Sequence, residues 1–569
     1  MPALREATVT QATTARGADL VLIALQRAGT DVVFGYPGGA CLPIYDALPD
    51  HPWLKHILVR HEQGAAHMAD GYARVAGRPG VVMVTSGPGA TNLVTGLASA
   101  YMDSIPMIAI TGQVSTALMG RDAFQETDVI GMVTPVTKHA FLIQRTEDIL
   151  PVIARAFQVS MEGRPGPVVV DIPKDVQISE GSTRAGEPRL RGGHAMRDLD
   201  ERAFDEAAEL LAKARKPMII AGHGVRIGRA HAGLRELAER LDAPVAMTLL
   251  GIGVIPDEHP LAAGMIGMHG SPRTNRAINA ADVILGIGLR FDDRVTGKLS
   301  AFAPNAKIIH IDIDETQIGK NVPTAIGIAA DSKSAIDALL ARVQKKTHPE
   351  WRAALDADRA KPKLAQFEDR MELAPRPVVR AIREIASPDA YFVADVGQHQ
   401  MWAAQHLGFT DPDRFLTSGG LGAMGYALPA ALGAQVGAPD KEVWALVGDG
   451  GAQMTIQEIG TAVQEDLPVK MIILNNGYLG MVRQWQQLFF NGRISQTPIT
   501  SPDYVKLADA YGARGFTVER RGELRPALEA AKRATGPVIV DVRIEREANV
   551  WPIVPPGGAN ADLIEGPSS

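Results

Sequence analysis

Glu442-Val443-Trp444-Ala445-Leu446-Val447-Gly448-Asp449-Gly450 reads as an apolar strand that stops at an acid set between glycines. Val469-Lys470-Met471-Ile472-Ile473-Leu474-Asn475-Asn476 repeats the pattern and stops at an amide pair. A helix-patterned stretch from Thr455 to Glu465 lies between them, which makes the segment a βαβ unit with parallel strands. Parallel neighbours bring their carboxyl ends side by side, where open α/β sheets bind ligands. Asp449 and Asn476, 27 positions apart, therefore aim two oxygen donors at one point. A carboxylate and an amide suit Mg²⁺, a hard cation that takes oxygen ligands and keeps places for phosphate. The glycines flanking Asp449 let a diphosphate approach the backbone.

Working outward, 569 residues at 46% hydrophobic are enough for several cores. Three α/β blocks can be drawn: 1–190 with a polar, aperiodic linker candidate from Gln177 to Arg197, then 191–345, and 375–569 after a charged connecting segment 346–374. Each alternates short apolar strands with helical stretches and glycine turns, as doubly wound parallel sheets do. The first and third could share a topology, and a Pro/Gly-rich tail follows from Asn549. The net charge of −6, with scattered Lys and Arg, offers no basic field for nucleic acid. A lone cysteine, Cys41, agrees with a reducing compartment, and no uncharged stretch reaches the ~20 residues of a membrane span. The first 15 residues lack the patterns of a secretion or transit signal, so a soluble cytoplasmic protein is expected.

Some motifs mislead. Gly420-Leu421-Gly422-Ala423-Met424-Gly425 matches the dinucleotide fingerprint, but the acid that should complete it, Asp440, precedes a strand instead of ending one. His61 and His67 are six apart and leave opposite sides of a helix, which argues against zinc. His139 and His310 read as satisfied polar residues within or beside the core.

The Asp449…Asn476 spacing resembles the thiamine diphosphate-binding motif of thiamine-dependent enzymes. Such chemistry requires one buried Glu to bond the pyrimidine nitrogen of the cofactor. His56-Ile57-Leu58-Val59-Arg60 reads as a strand and His61-Glu62-Gln63-Gly64 opens a helix, so Glu62 fits, and an apolar pocket would raise its pKa.

With Tyr36-Pro37-Gly38-Gly39-Ala40, Arg60-His61-Glu62-Gln63-Gly64, Ser86-Gly87-Pro88-Gly89-Ala90-Thr91-Asn92, Asp122-Ala123-Phe124-Gln125-Glu126, Gly163-Arg164-Pro165-Gly166-Pro167, Arg290-Phe291-Asp292-Asp293-Arg294-Val295-Thr296-Gly297 and Gly480-Met481-Val482-Arg483-Gln484-Trp485, the chain resembles the acetohydroxyacid (acetolactate) synthase large-subunit family over nearly its whole length. The resemblance implies two thiamine diphosphate-binding folds flanking a Rossmann-like FAD-binding domain. It implies that Met424 holds the cofactor bent, that Tyr36, Gly397, Gln398, His399, Gly422, Gly450 and Gly451 contribute to its site, and that Asp449, Asn476 and the carbonyl of Tyr478 bind Mg²⁺. FAD, in a role without net redox work, would contact the middle block through Arg164, Gly222, Gly224, Thr248, Leu249, His269, Gly288, Arg290, Asp312, Ile313 and Asp331.

The reaction implied is decarboxylation of pyruvate and transfer of the two-carbon unit to a second pyruvate or to 2-oxobutyrate, the first common step of branched-chain amino acid biosynthesis. Arg294 would hold the acceptor carboxylate and Trp485 favour 2-oxobutyrate, with Gln125, Lys174, Phe124 and Met268 lining the channel. Family sites form between the first block of one subunit and the third of another, implying a homodimer or homotetramer, and a small regulatory subunit is expected. Ser115-Thr116-Ala117 and Pro556 depart from the plant pattern, which implies weakened sulfonylurea-type inhibition. A flavin-linked pyruvate oxidase or simple decarboxylase would share the domains, Glu62 and the metal motif; a catalytically silent paralogue would have no chemical reason to keep Glu62, Asp449 and Asn476.

Overall fold

The computed structural model describes residues 14–184, 199–359 and 372–566. These fall into two compact units, the first holding the described residues up to 184 apart from Arg74–Ala76 and the second holding Arg74–Ala76 with 199–566.

In the first unit, strands β2 (Val32–Tyr36), β3 (Lys55–Leu58), β4 (Gly80–Val84), β5 (Met107–Gln113), β6 (His139–Leu142) and β7 (Pro167–Pro173) form a parallel sheet in the order β3-β2-β4-β5-β7-β6. β4, β5 and β7 are buried along their whole length, which explains their unbroken apolar sequence. A small antiparallel pair, β1 (Thr14–Arg16) with β8 (Glu180–Ser182), closes the unit. The expected linker from Gln177 therefore begins inside ordered structure: Lys174–Ile178 is helical and β8 follows, while 185–197 lies outside the described residues.

The second unit holds two sheets. β9 (Pro217–Ala221), β10 (Val245–Met247), β11 (Ala262–Met265), β12 (Val283–Ile287), β13 (Lys307–Asp312) and β14 (Ile326–Ala329) are ordered β11-β10-β9-β12-β13-β14. That is the order of dinucleotide-binding sheets, whose switch point lies between β9 and β12. β15 (Tyr391–Ala394), β16 (Phe415–Thr417), β17 (Val443–Gly448), β18 (Lys470–Asn475), β19 (Arg514–Val518) and β20 (Val538–Arg543) are ordered β16-β15-β17-β18-β20-β19. Numbered within their own sheets, the first and last share one topology, as the sequence suggested. Of the expected connecting segment, Pro349–Arg359 is helical and 360–371 lies outside the described residues.

Three parallel sheets were expected and three are found among the described residues, yet the middle and last belong to one compact unit. The reason is packing. Ile252, from the segment after β10, is buried in the core of the last sheet with Phe392, Trp402 and Trp444. The segment after Asn549, expected as a tail, is also built in: Val550, Ile553 and Val554 are buried, Val554 N–H donates to the carbonyl of Met268 at 2.9 Å, and Asn560 donates to that of Val295 at 3.0 Å. His310 is buried and bonds the Leu289 carbonyl at 2.9 Å, whereas His139, on edge strand β6, is exposed and stands edge-on to Phe141. Among the described residues, no helix is long and apolar enough to cross a membrane.

Candidate active site

In the first unit Glu62 opens the helix Glu62–Ala76, capped by His61, whose ring accepts the Gln63 N–H at 3.1 Å. The Asn92 amide donates to Glu62 Oε2 at 2.8 Å, and a Cβ on Gly89 would sit 3.5 Å from Oε1. The glycine-rich turn after β4 thus delivers both the orienting amide and the space beside the carboxyl. Glu62 is half-buried. Tyr36 ends β2, across the sheet's switch point from that turn.

Phe124 is 88% exposed. Its loop is drawn together by Glu126, whose carboxylate accepts the N–H groups of Gly120, of Arg121 at 3.3 Å and of Ala123 at 2.9 Å; these bonds hold the carboxyl below its usual range. Gln125 takes a left-handed backbone, φ +62°, and its backbone lies against Gly87. Lys174 begins the helix after β7. Arg164 was expected with the middle block, but it belongs to the first unit. There its Nε donates to Ser104 Oγ at 2.8 Å and its guanidinium lies over the Tyr101 ring.

In the second unit β17 and β18 pair in parallel, and Asp449 and Asn476 follow their carboxyl ends. Asp449 itself opens a helix, Asp449–Thr455, six residues earlier than its glycines suggested. One carboxylate oxygen, Oδ2, accepts from Ser501 at 3.2 Å; the other, Oδ1, is buried with no hydrogen-bond partner among the described residues. Burial pushes this carboxyl up to about 6. An orphaned buried carboxylate oxygen is costly unless a cation compensates it, and the donor set suits a hard divalent ion. Asn476 Nδ2 donates to Gln398 Oε1 at 3.2 Å, and Gln398 in turn donates to Gln484 Oε1 and to the Ala548 carbonyl, each at 2.9 Å. Tyr478 donates its N–H to Asn476 Oδ1 at 3.2 Å.

Gly397, Gln398 and His399 form the amino end of the helix Gln398–His406, which follows β15 across the switch point from Asp449. That polarity suits a diphosphate. His399 is buried, its Nε2 has no hydrogen-bond partner among the described residues, and burial pushes it down to about 3, so it stays neutral. A Cβ on Gly448 would lie 2.8 Å from its Nδ1. Gly422, with φ +73°, and Met424 ride on the loop after β16. Asp395 holds that loop: its buried carboxylate accepts the N–H groups of Gly425 at 3.0 Å and Ala427 at 3.2 Å. Gly450 and Gly451 pack closely too; a Cβ on Gly451 would stand 2.9 Å from Asp395 Oδ1 and one on Gly450 3.6 Å from the Met424 methyl.

The carboxyl ends of the middle sheet collect the rest. Gly222 follows β9 and Gly288 follows β12, flanking the switch point. A Cβ on Gly224 would meet Gly288 Cα at 2.6 Å, and Gly288 itself has φ +61°. Thr248 and Leu249 follow β10, His269 follows β11, Arg290 follows β12, Asp312 ends β13 with Ile313 after it, and Asp331 caps the helix after β14. The two glycine loops thus meet backbone to backbone at the switch point, a contact that added side chains would break. His269 bonds the Pro552 carbonyl at 2.9 Å and is pushed by burial to about 4. Beside it, Met268 N–H donates to the Arg294 carbonyl at 2.9 Å, and the Arg294 guanidinium lies 5.8 Å from the Trp485 ring centroid. Met268, Arg294 and Trp485 are therefore brought together across the two sheets.

Three family models match in register with the three sheets: the N-terminal binding domain of thiamine pyrophosphate enzymes over 15–132, the central domain over 204–339 and the C-terminal binding domain over 395–542. An acetolactate synthase of Mycobacterium bovis is 48% identical over 96% of this chain and 91% of its own. The chain belongs to the acetolactate synthase large-subunit family. The large subunit from Corynebacterium glutamicum is 46% identical over 96% of this chain and 90% of its own, and the isozyme 2 large subunit from Escherichia coli 44% over 96% and 99%. The family is one of thiamine diphosphate-dependent enzymes.

Asn92, Asp395, Ser501 and Glu126 have no role among the expectations drawn from the sequence. Asp395 carried the signal that revealed Asp449, an acid directly after a buried apolar strand. Asn92 stood in a quoted motif; Ser501 carried no sequence signal.

Proposed function

We propose that this chain is an acetolactate synthase, using thiamine diphosphate and Mg²⁺ to decarboxylate pyruvate and join its two-carbon unit to a second pyruvate or to 2-oxobutyrate. Bound thiamine diphosphate supplies an acidic ring carbon and an electron sink. Glu62, aligned by Asn92, shares a proton with the pyrimidine nitrogen. Asp449, Asn476 and the Tyr478 carbonyl hold Mg²⁺, and Gly397, Gln398 and His399 receive the diphosphate beside Gly450 and Gly451. Met424 supports the cofactor from the loop that Asp395 fixes. FAD occupies the cradle of the middle sheet without a redox task, since decarboxylation and carbon–carbon joining transfer no net electrons. Gln125, Lys174 and Phe124 complete the substrate channel. A homodimer is the minimum active unit, and the relatives named as large subunits support a small regulatory partner.

The observation that carries carboligation, against simple decarboxylation or oxidation, is Arg294 over Trp485. A guanidinium binds a second carboxylate through parallel N–H donors, and the indole sizes the space beside it. Supplying pyruvate and 2-oxobutyrate together tests this. Wild type should give mainly 2-aceto-2-hydroxybutyrate and Trp485→Leu a ratio shifted toward acetolactate; an unchanged ratio would remove Trp485 from specificity, and acetaldehyde as main product would overturn the reading.

A further inference from the structure

Two loops of the flavin cradle leave the middle sheet and grip the strand that leads to Met424. The first carries Gly222 and Gly224 and continues into the helix His223–Ile227. From it the buried Arg226 reaches the last sheet, donating to the Phe415 carbonyl at 2.8 Å and to Asp413 Oδ1 at 3.0 Å. The second loop carries Thr248 and Leu249. Thr248 N–H is bonded to the Ala221 carbonyl at the end of β9, so this loop is fastened to the cradle floor. Beyond that point Leu250 lies against Gly419, where a Cβ would stand 2.7 Å from its Cγ, and Ile252 is buried in the core of the last sheet. Asp413 to Gly419 is thus held at both ends by two side chains, Arg226 and Leu250, that lie beyond the flavin-contacting positions of these loops. Between them Thr417 Oγ1 donates to the Ala394 carbonyl and accepts from Gln400 Nε2, each at 2.8 Å, which ties β16 to β15 and to the helix Gln398–His406. Ser418 Oγ accepts the Ala423 N–H at 3.1 Å, next to Met424.

We infer that Arg226 and Leu250 are positioning residues through which an occupied flavin cradle sets the loop of Met424 and tightens thiamine diphosphate binding. This rests on the flavin reading proposed above and gives that redox-silent cofactor a mechanical task. Neither side chain needs to touch the thiamine cofactor. A ligand that fixes the 222–226 and 248–250 loops restricts the strand they clamp, and a second ligand that needs that strand ordered then binds at lower cost. Linkage makes the effect reciprocal.

The test is calorimetric titration of thiamine diphosphate with Mg²⁺ into flavin-free and flavin-loaded chain. FAD should tighten thiamine diphosphate binding by about fivefold or more, the usual lower range of such coupling. Leu250→Ala, and independently Arg226→Met, which keeps a long side chain at a buried site, should bind FAD within about twofold of wild type yet lose that gain. If wild type binds no FAD, the flavin reading itself falls. If FAD binds and the thiamine diphosphate affinity does not change, the cradle stands and the coupling is overturned. Full coupling retained in both variants would overturn the route through these two residues.

Discussion

Replacing Gly288 with alanine should cost the middle sheet both stability and flavin. Gly288 lies at φ +61°, and an added Cβ would stand 2.5 Å from Gly224 Cα and 2.9 Å from Gly224 C and N, which are backbone atoms that cannot swing aside. The left-handed conformation costs a non-glycine residue about 1–2 kcal/mol. Relieving the overlap by separating the ends of β9 and β12 costs about 1–3 kcal/mol more, in the range of overpacked cores. The total of about 2–5 kcal/mol is a large share of the ~5–15 kcal/mol that stabilises a typical domain. Gly29→Ala supplies the control, because Gly29 has φ +77° with nothing within 4 Å of its Cβ position, so only the conformational cost applies. Urea midpoints give the stabilities, and titration of the flavin-free protein with FAD gives affinity. Gly288→Ala should lose at least tenfold in flavin affinity, about 1.4 kcal/mol. A Gly288→Ala protein no less stable than Gly29→Ala, and binding FAD like wild type, would refute the argument that backbone contact at the switch point builds the cradle.

Burial pushes the Asp171 carboxyl up to about 7 from its usual 3.8, despite bonds from Thr111 at 2.6 Å and Gln113 at 3.0 Å. Between those pH values the folded chain keeps a proton that the unfolded chain has released, so stability falls as pH rises from about 4 to 7, by up to about 4 kcal/mol. Urea midpoints measured across that range should show the slope in wild type and its loss in Asp171→Asn; parallel curves would contradict it. Asp449→Asn removes the carboxylate whose Oδ1 has no hydrogen-bond partner among the described residues. Activity titrated with Mg²⁺ should then need at least tenfold more metal, and an unchanged requirement would move the metal elsewhere.

Much of the site was legible because parallel α/β sheets place function where apolar strands end. Asp449 and Asn476 each follow such a strand, and a run of pure hydrophobicity ending in Asp or Asn is visible in one dimension; Gly222 and Gly288 also follow apolar strands but were singled out only by the family resemblance. The helix that starts at Asp449 was not visible, since Gly450 and Gly451 read as turn formers although helix geometry accommodates them once tertiary contacts compensate their entropy. Nor was the role of the segment after Asn549, whose Pro/Gly content reads as a tail. Its order comes from long-range bonds to Met268 and Val295, which no local pattern encodes. Arg164 was grouped with the middle block by resemblance, whereas it lies in the first unit, where it contacts Ser104 and Tyr101. The clamp of Arg226 on Phe415 spans 189 positions and has no signature in sequence.

The central claim is that Glu62 activates a thiamine cofactor for carboligation. Its most direct test is product analysis on purified chain given pyruvate, Mg²⁺, thiamine diphosphate and FAD, comparing wild type with Glu62→Gln. The account predicts acetolactate from wild type and a severe loss, about a hundredfold or more, in the variant, as expected when a general acid–base group is removed. Acetaldehyde, or acetyl phosphate with peroxide, from wild type would contradict it, and so would a Glu62→Gln protein that makes acetolactate at the wild-type rate.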